Sequence, residues 1–394
     1  MYIDSWRIHQ ASYMICNRKK FDEVGIRSKR RGGTQMIIFG SPSRYVQGAG
    51  ALKELGLELV RLGGDAVLVA DPVLWEQYGD MIEQSFRNQQ ITVPVLMFGG
   101  DCTEAEIIRL HDALAGVPSV VVAAGGGKCI DAGKALAHRL NAKVVTVPSI
   151  ASTDAPTSHN YVMYDDAHRM VGVSKLPRNP ELVLADTAVI AKAPKQFFLA
   201  GIGDAIGKIH EVRCCANAQG KNIFGGSSAW TAVVLAEACH AILLEHAEAA
   251  LAALDRKTPT PALERVVEAT ILMSGLAFES GGLSVAHSMT RGLTAVSPFA
   301  EKMHGLQVAY ANVVQMHAQG AQTPEIDAFV AFSRRVGLPA TLIELGGRAA
   351  ADDEIGEIVS RTMTAPHIGH LPRPLDADGL EASIRWVESR YTAA

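Results

Sequence analysis

One carboxylate and two imidazoles in the second half of the chain could do chemistry together. GIGDAIG places Asp204 in a glycine-flanked turn entering a helix, ESGGLSVAHSMTRG places His287 on a helix after a Gly-Gly break, and EKMHGLQVAY places His304 ahead of an apolar helix. Such ligands suit zinc or ferrous iron, with water or a substrate hydroxyl at the open positions. Spacing leaves the alternative open that each histidine is a packed or surface residue, and His159, His210 and His240 have the same ligand chemistry.

A second feature lies in the first half. VVVAAGGGKCIDAGKAL, residues 120–136, passes from a β-branched ladder through Gly125, Gly126 and Gly127 into a helical pattern that begins near Lys128. The first amides of a helix have no intrahelical partners, and the helix dipole adds positive charge, so an anion such as a phosphate could sit there with Lys128 beside it. The alternative is a plain tight turn that uses glycine for its positive φ. Asp71 ends another apolar strand, in VLVADPVLW, where a carboxylate can accept from ribose hydroxyls; Asp before Pro is also ordinary turn chemistry. The segment VPSIASTDAPTSHNYVMY, residues 147–164, carries Ser149, Ser152, Thr153, Asp154, Thr157 and Ser158. It reads as a hydroxyl-rich loop that either satisfies its own backbone or, lying beside the glycine turn, holds a pyrophosphate and a nicotinamide.

The elements that must position these residues fall into two halves. From Met36 the chain reads as strand, turn and helix in alternation: MIIFGSPSRYVQGAGAL, DAVLVAD, ITVPVLMFGG, VVVAAGGG and AKVVTVPS as strand-forming stretches, with helical spacing in TEAEIIRLHDALAG and KCIDAGKALAHRL. That pattern predicts a parallel sheet covered on both faces, with ligands at the carboxyl ends of the strands. After ELVLADTAVIAKAPKQFFLAG the strands stop and long stretches rich in Ala, Leu and Glu follow, so a helical domain is expected from about Pro194 to the end. Two domains, 36–193 and 194–394, suit a chain of 394 residues. Residues 1–35 lack periodicity and crowd seven basic residues into positions 18–31; they are expected to be a poorly ordered extension, the native start lying at Met36.

Composition narrows the function. A net charge of −4 and 48 % hydrophobic residues describe an ordinary globular chain without the basic excess that a nucleic-acid partner requires. No apolar run reaches the ~18 residues of a membrane span. Six cysteines with neither C-x-x-C pairs nor a disulfide framework fit a reducing cytoplasm.

Taken in order, YVQGAGAL, GGGK-x-x-D-x-x-K, PSIASTDAPTS, NP-x-LVL-x-D, GI-x-DA, AFESGGL-x-x-AH and HG-x-x-VA resemble the polyol-oxidising branch, the glycerol dehydrogenases, of the iron-containing alcohol dehydrogenase family, over about Met36 to Leu375. The resemblance implies an α/β Rossmann-like N-terminal domain, an all-α C-terminal domain and an active site between them, the dehydroquinate synthase-like fold. It implies NAD and one divalent metal, zinc in preference to iron, held by Asp204, His287 and His304. It assigns the pyrophosphate to Gly126, Gly127 and Lys128, the adenosine ribose to Asp71, and further NAD contacts to Ser149, Ser152, Ser158, Asn160 and Tyr164. Asp154 falls near both nicotinamide and substrate. The implied reaction is reversible oxidation of glycerol or a similar diol by a homo-oligomeric enzyme, with a 2-hydroxycarboxylate or aminoalcohol as the alternative substrate. Cys129 after GGGK departs from the family's more usual threonine.

Overall fold

The computed structural model describes residues 36–166 and 169–392; the expectation for residues 1–35 lies outside them. Six strands form one parallel sheet: β1 (Arg44–Gly48), β2 (Ala66–Ala70), β3 (Val95–Met97), β4 (Val120–Gly125), β5 (Lys143–Pro148) and β8 (Leu182–Asp186), in the order β1-β8-β5-β4-β2-β3. Every residue of β2, β4 and β8 is buried, which their Val, Leu and Ala runs satisfy on both faces. Leu68, Val122 and Val145 pack towards one helix layer with Leu55, Ile82 and Phe86. Val67, Val69 and Val121 pack towards the other with Ile107, Leu110 and Leu136.

The covering helices are α1 (Leu55–Leu62), α2 (Pro72–Asn88), α3 (Glu104–Asp112) and α4 (Gly127–Leu140). The chain leaves β2 towards β3 on one side and returns to β4 on the other, so the connections diverge between β2 and β4. Such a switch point opens a crevice at the strand ends. Asp71 and the glycine turn both lie there, the Asp71 amide donating to Ala124 O at 2.8 Å.

After Asp186 the described chain contains helices and no labelled strand. The helices that matter for the site are α5 (Lys195–Ile206), α6 (Lys208–Asn217), α7 (Trp230–Asp255), α8 (Pro261–Gly281), α9 (Val285–Leu293) and α10 (His304–Ala318). Within α8, Glu268–Met273 is a π-helical segment between Pro261–Val267 and Ser274–Gly281. Val183 and Ala185 of β8 join Phe198, Ile202, Leu243, Val285 and Tyr310 in one core, so sheet and helices share packed interior. No single helix among the described residues is long and apolar enough to cross a membrane.

Four local expectations are corrected. Strand order does not begin at Met36: Ile37 makes only an isolated bridge to Ser227, and the strand starts at Arg44, beyond the Pro42 interruption. ITVPVLMFGG yields only three strand residues, because Pro94 has no N–H for the ladder. NYVMY is not loop: Asn160–Tyr164 (β6) pairs antiparallel with Met170–Lys175 (β7). Asp204 does not enter a helix but sits in the last turn of α5.

Candidate metal and cofactor site

Glycines bring the three metal-ligand types together by letting backbones touch. A Cβ on Gly203 would lie 2.4 Å from Gly305 O, and one on Gly305 would lie 1.7 Å from Ala200 O. Helices α5 and α10 therefore cross at bare backbone, and the residues beside those glycines, Asp204 and His304, converge. Gly201 does the same towards the hydroxyl-rich loop, where a Cβ would meet Ala151 O at 2.1 Å. His287 arrives on α9, which restarts the helical path after Gly282 turns it with φ +96°.

One ligand atom each from Asp204, His287 and His304 lies within 4.8 Å of the other two. Asp204 Oδ1 is 3.3 Å from His287 Nε2 and 3.9 Å from His304 Nε2. The far side of His287 is fixed by Glu211: Nδ1 faces Glu211 Oε2 at 2.5 Å, while Glu211 Oε1 accepts from the amides of His287 at 3.0 Å and Ser284 at 2.9 Å. With its proton on Nδ1, the ring turns the Nε2 lone pair to the centre of the cluster, the arrangement by which a carboxylate orients a metal-bound histidine. Burial lowers the pKa of His304 to about 4, with Asp204 opposing, although its side chain is still 43 % accessible, so it too offers a lone pair. Burial opposes ionisation of Asp204, but the Lys208 ammonium and the two imidazoles hold its carboxyl far below the usual range. Burial opposes ionisation of His287, but Glu211 and Asp204 raise its pKa to about 9, so a cation binding Nε2 would displace a proton; one carboxylate and two imidazoles are a donor set that fits a divalent cation.

The Lys208 ammonium stands against this cluster, 2.9 Å from Asp204 Oδ1 and 3.0 Å from His287 Nε2. It also reaches Asp154 Oδ2 at 3.2 Å, which accepts from Ser274 Oγ at 2.6 Å. Burial raises the Asp154 pKa, with Lys208 opposing. Asp154 thus lies one ammonium away from the metal-ligand types.

The loop that carries Asp154 is clamped from two sides. From the sheet half, the fully buried Lys134 donates to Ala155 O at 2.6 Å and Asn160 O at 2.8 Å. From the helical half, Glu279 of α8 accepts from Ser158 Oγ and the His159 amide, both at 2.8 Å, and from Asn179 Nδ2 at 2.5 Å. Thr157 Oγ1 donates to Ile271 O at 2.5 Å. His159, whose ring stacks on Phe224 at 4.6 Å, takes part in this clamp and is not among the metal-ligand types. His210 and His240 lie near each other at 5.9 Å and are likewise outside the cluster.

The three glycines of the turn do different work from one another, and none has a positive φ, so conformational freedom does not explain them. A Cβ on Gly125 would meet Asp71 Cβ at 2.7 Å and Cys129 Cβ at 2.8 Å; one on Gly126 would approach Ile150 at 3.2 Å. Around Gly127 there is nothing within 4 Å, and α4 begins without a side-chain cap. That free space at uncapped helix amides fits a pyrophosphate. Ser149 adjoins it, its amide donating to Gly125 O at 3.0 Å. Lys128 pairs with Asp101 at 3.1 Å and lies 4.7 Å from the centre of the Tyr164 ring.

Asp71 caps α2 through Oδ1, which accepts from Val73 N at 2.9 Å and Leu74 N at 3.3 Å. Its turn chemistry and its position at the switch point coexist. The Ser158 hydroxyl is engaged by Glu279 and by the Asn160 amide, whereas the buried Asn160 Oδ1 has no partner among the described residues. Ser152 is half-buried in the same loop. Lys208, Glu211, Ser274 and Glu279 went unrecognised in the sequence. A helical signal existed for the first two, since they follow Asp204 by four and seven residues and share its face.

Residues 42–187 match the family described as iron-containing alcohol dehydrogenase. The glycerol dehydrogenase of Thermotoga maritima is 39 % identical over 321 residues, which cover 81 % of this chain and 88 % of its own length. The glycolaldehyde reductase of Halobacterium salinarum is 36 % identical over 78 % of this chain and 85 % of its own. The crystal structure of the Schizosaccharomyces pombe glycerol dehydrogenase superposes with a TM-score of 0.86 at 32 % identity, covering 90 % of this chain and 91 % of that one.

Proposed function

Because the chain belongs to the iron-containing alcohol dehydrogenase family, we propose that it is a metal-dependent, NAD-linked enzyme that oxidises glycerol, or a similar vicinal diol, reversibly to dihydroxyacetone. The observation that carries this reading is the convergence of Asp204, His287 and His304 with Asp154 through Lys208. In this reading those three residues hold the metal, zinc in preference to iron. Asp71, Gly126, Gly127, Lys128, Ser149, Ser152, Ser158, Asn160 and Tyr164 form the NAD side. Residues 36–193 are the NAD-binding domain and 194–394 the metal- and substrate-binding domain, which is supported by the last strand ending at Asp186 and the first long helix starting at Lys195.

When bound, the metal lowers the pKa of an alcohol hydroxyl and NAD takes the hydride. The chain supplies alignment. Glu211 keeps a proton on Nδ1 of His287 and so keeps Nε2 available. Asp154, steadied by Ser274 and Lys208, accepts a hydrogen bond from a substrate hydroxyl and orients the carbinol carbon. Glu279 and Lys134 hold the loop so that Asp154 and the NAD side keep one spacing, which is how positioning lowers a barrier.

The test is initial-rate NAD reduction with glycerol, 1,2-propanediol and a 2-hydroxy acid, on chelator-stripped protein and again after zinc or ferrous ion. Glycerol turnover restored by metal is the expected result. Metal-restored turnover confined to the 2-hydroxy acid moves the protein to another branch of the family, and equal activity without metal overturns the site. A reducing compartment is part of the same proposal, supported by Cys102, Cys129, Cys214, Cys215 and Cys239 being free and buried. A homo-oligomer is the expected assembly, which a mass measurement in solution checks.

A further inference from the structure

Lys208 is the buried cation for which the proposed reaction leaves the largest question. Its side chain is 1 % exposed, and its ammonium lies 5.1 Å from the centre of the Phe278 ring. Two of its three close partners, Asp204 Oδ1 and His287 Nε2, are the lone pairs that a metal ion would need. A metal takes such donors at about 2.0–2.2 Å; His287 Nε2 has a single lone pair, which an ammonium and a metal cannot both hold, and at Asp204 Oδ1 the two cations would crowd one oxygen. Lys208 and a metal therefore claim the same atoms.

Charge sharpens the conflict. Asp154, Asp204 and Glu211 are three carboxylates with exposures of 7 %, 1 % and 0 %. A buried carboxylate needs a partner, and Lys208 is the fixed cation touching both Asp154 and Asp204, while Glu211 pairs with His287. A divalent ion at the Asp204, His287 and His304 donors would take over the part that Lys208 plays for Asp204.

We propose that Lys208 is a tethered counter-ion which holds Asp204 and His287 in the metal-free protein and is displaced from them when a divalent cation loads, so that this residue weakens metal binding and stabilises the empty fold. The inference rests on Asp204, His287 and His304 being the metal ligands. It concerns metal affinity and metal-free stability, both readable without turnover.

The experiment uses full-length Lys208→Met, which removes the charge, and Lys208→Gln, which keeps hydrogen-bond donors without it. Each is stripped with chelator and titrated with zinc alone against a chromophoric competitor, with Tm recorded before and after. The expected result is zinc bound at least roughly tenfold more tightly than by the wild type, a lower metal-free Tm and a larger rise in Tm on adding zinc. A variant that folds only when zinc is present equally supports the role of Lys208 as counter-ion. Unchanged or weaker zinc binding in both variants, beside normal binding by the wild type, overturns that role and leaves the metal site standing. Failure of both variants to fold in saturating zinc also overturns it. Absence of zinc binding in wild type and variants alike overturns the inference together with the metal site.

Discussion

At the Asp204 cluster the polar atoms of Asp204, His287 and Asp154 belong to side chains that other side chains hold, whereas at the Gly125–Gly127 turn the polar groups are backbone amides and side chains have been cleared away. Glu211 fixes His287, Ser274 fixes Asp154, and Lys208 spans Asp154 and Asp204. At the turn, by contrast, Gly125 makes room for Asp71 and Cys129, and Gly127 opens onto free space. In the proposed reading the contrast follows from the sign of what each region would bind. A cation needs localised lone pairs, and these reside on side chains; an anion can be met by helix amides, which any residue has once nothing covers them.

The comparison is broken most severely by removing a ligand. Asp204→Ala or His287→Ala should lose bound metal on elemental analysis and lower kcat/KM by about 10³-fold or more, equivalent to about 4 kcal/mol, while NAD affinity measured by calorimetry stays near that of the wild type. Metal retained at full stoichiometry in both variants would refute the assignment. A smaller effect is expected one layer out. Glu211→Gln keeps the shape but not the charge behind His287 and should weaken metal binding by about 10- to 100-fold. An unaltered metal affinity would mean that His287 needs no orienting carboxylate.

The turn offers the subtlest test, because two nearby glycines should fail differently. Gly125→Ala forces a methyl against Asp71 and Cys129 and should cost about 1–3 kcal/mol of stability by denaturant titration. Gly127→Val should leave Tm within a degree or two yet raise the Kd for NAD roughly tenfold, about 1.4 kcal/mol, by filling the free space. Identical behaviour of the two variants would show that the turn acts as a single structural unit.

The sheet and its switch point were legible because β2, β4 and β5 are nearly continuous apolar runs that end in Asp71, the glycines and Ser149. Asp204, His287 and His304 were legible as ligand types because glycines lie close to each in the chain, although close backbone contact was visible only in three dimensions. The clamp was not legible. Glu279 stands 121 residues from Ser158 and 100 from Asn179, and no local pattern announces partners at such separations. The β6–β7 hairpin was hidden for a related reason: NYVMY follows a run of hydroxyl residues, and its partner strand lies beyond a polar turn. Lys208 was overlooked because a lysine on a helix is ordinarily a solvated residue, and only its neighbours make it otherwise.

The π segment of α8 carries one last consequence, for chain length. In an α-helix each residue turns the chain by about 100°, and a π turn takes up an additional residue without ending the helix. Glu268–Met273 therefore offsets the rotational phase of Ser274 and Glu279 from that of Leu263 and Val267, which pack into the helical core. Because the π turn already absorbs one residue, deleting one there would give unbroken α-helix with Ser274 and Glu279 still facing Asp154 and Ser158, whereas inserting one more would swing them about 100° away with every contacting side chain still present in the sequence. This stretch should tolerate the loss of one residue and not the gain of one, because the cleft depends on the phase between its two fixed faces.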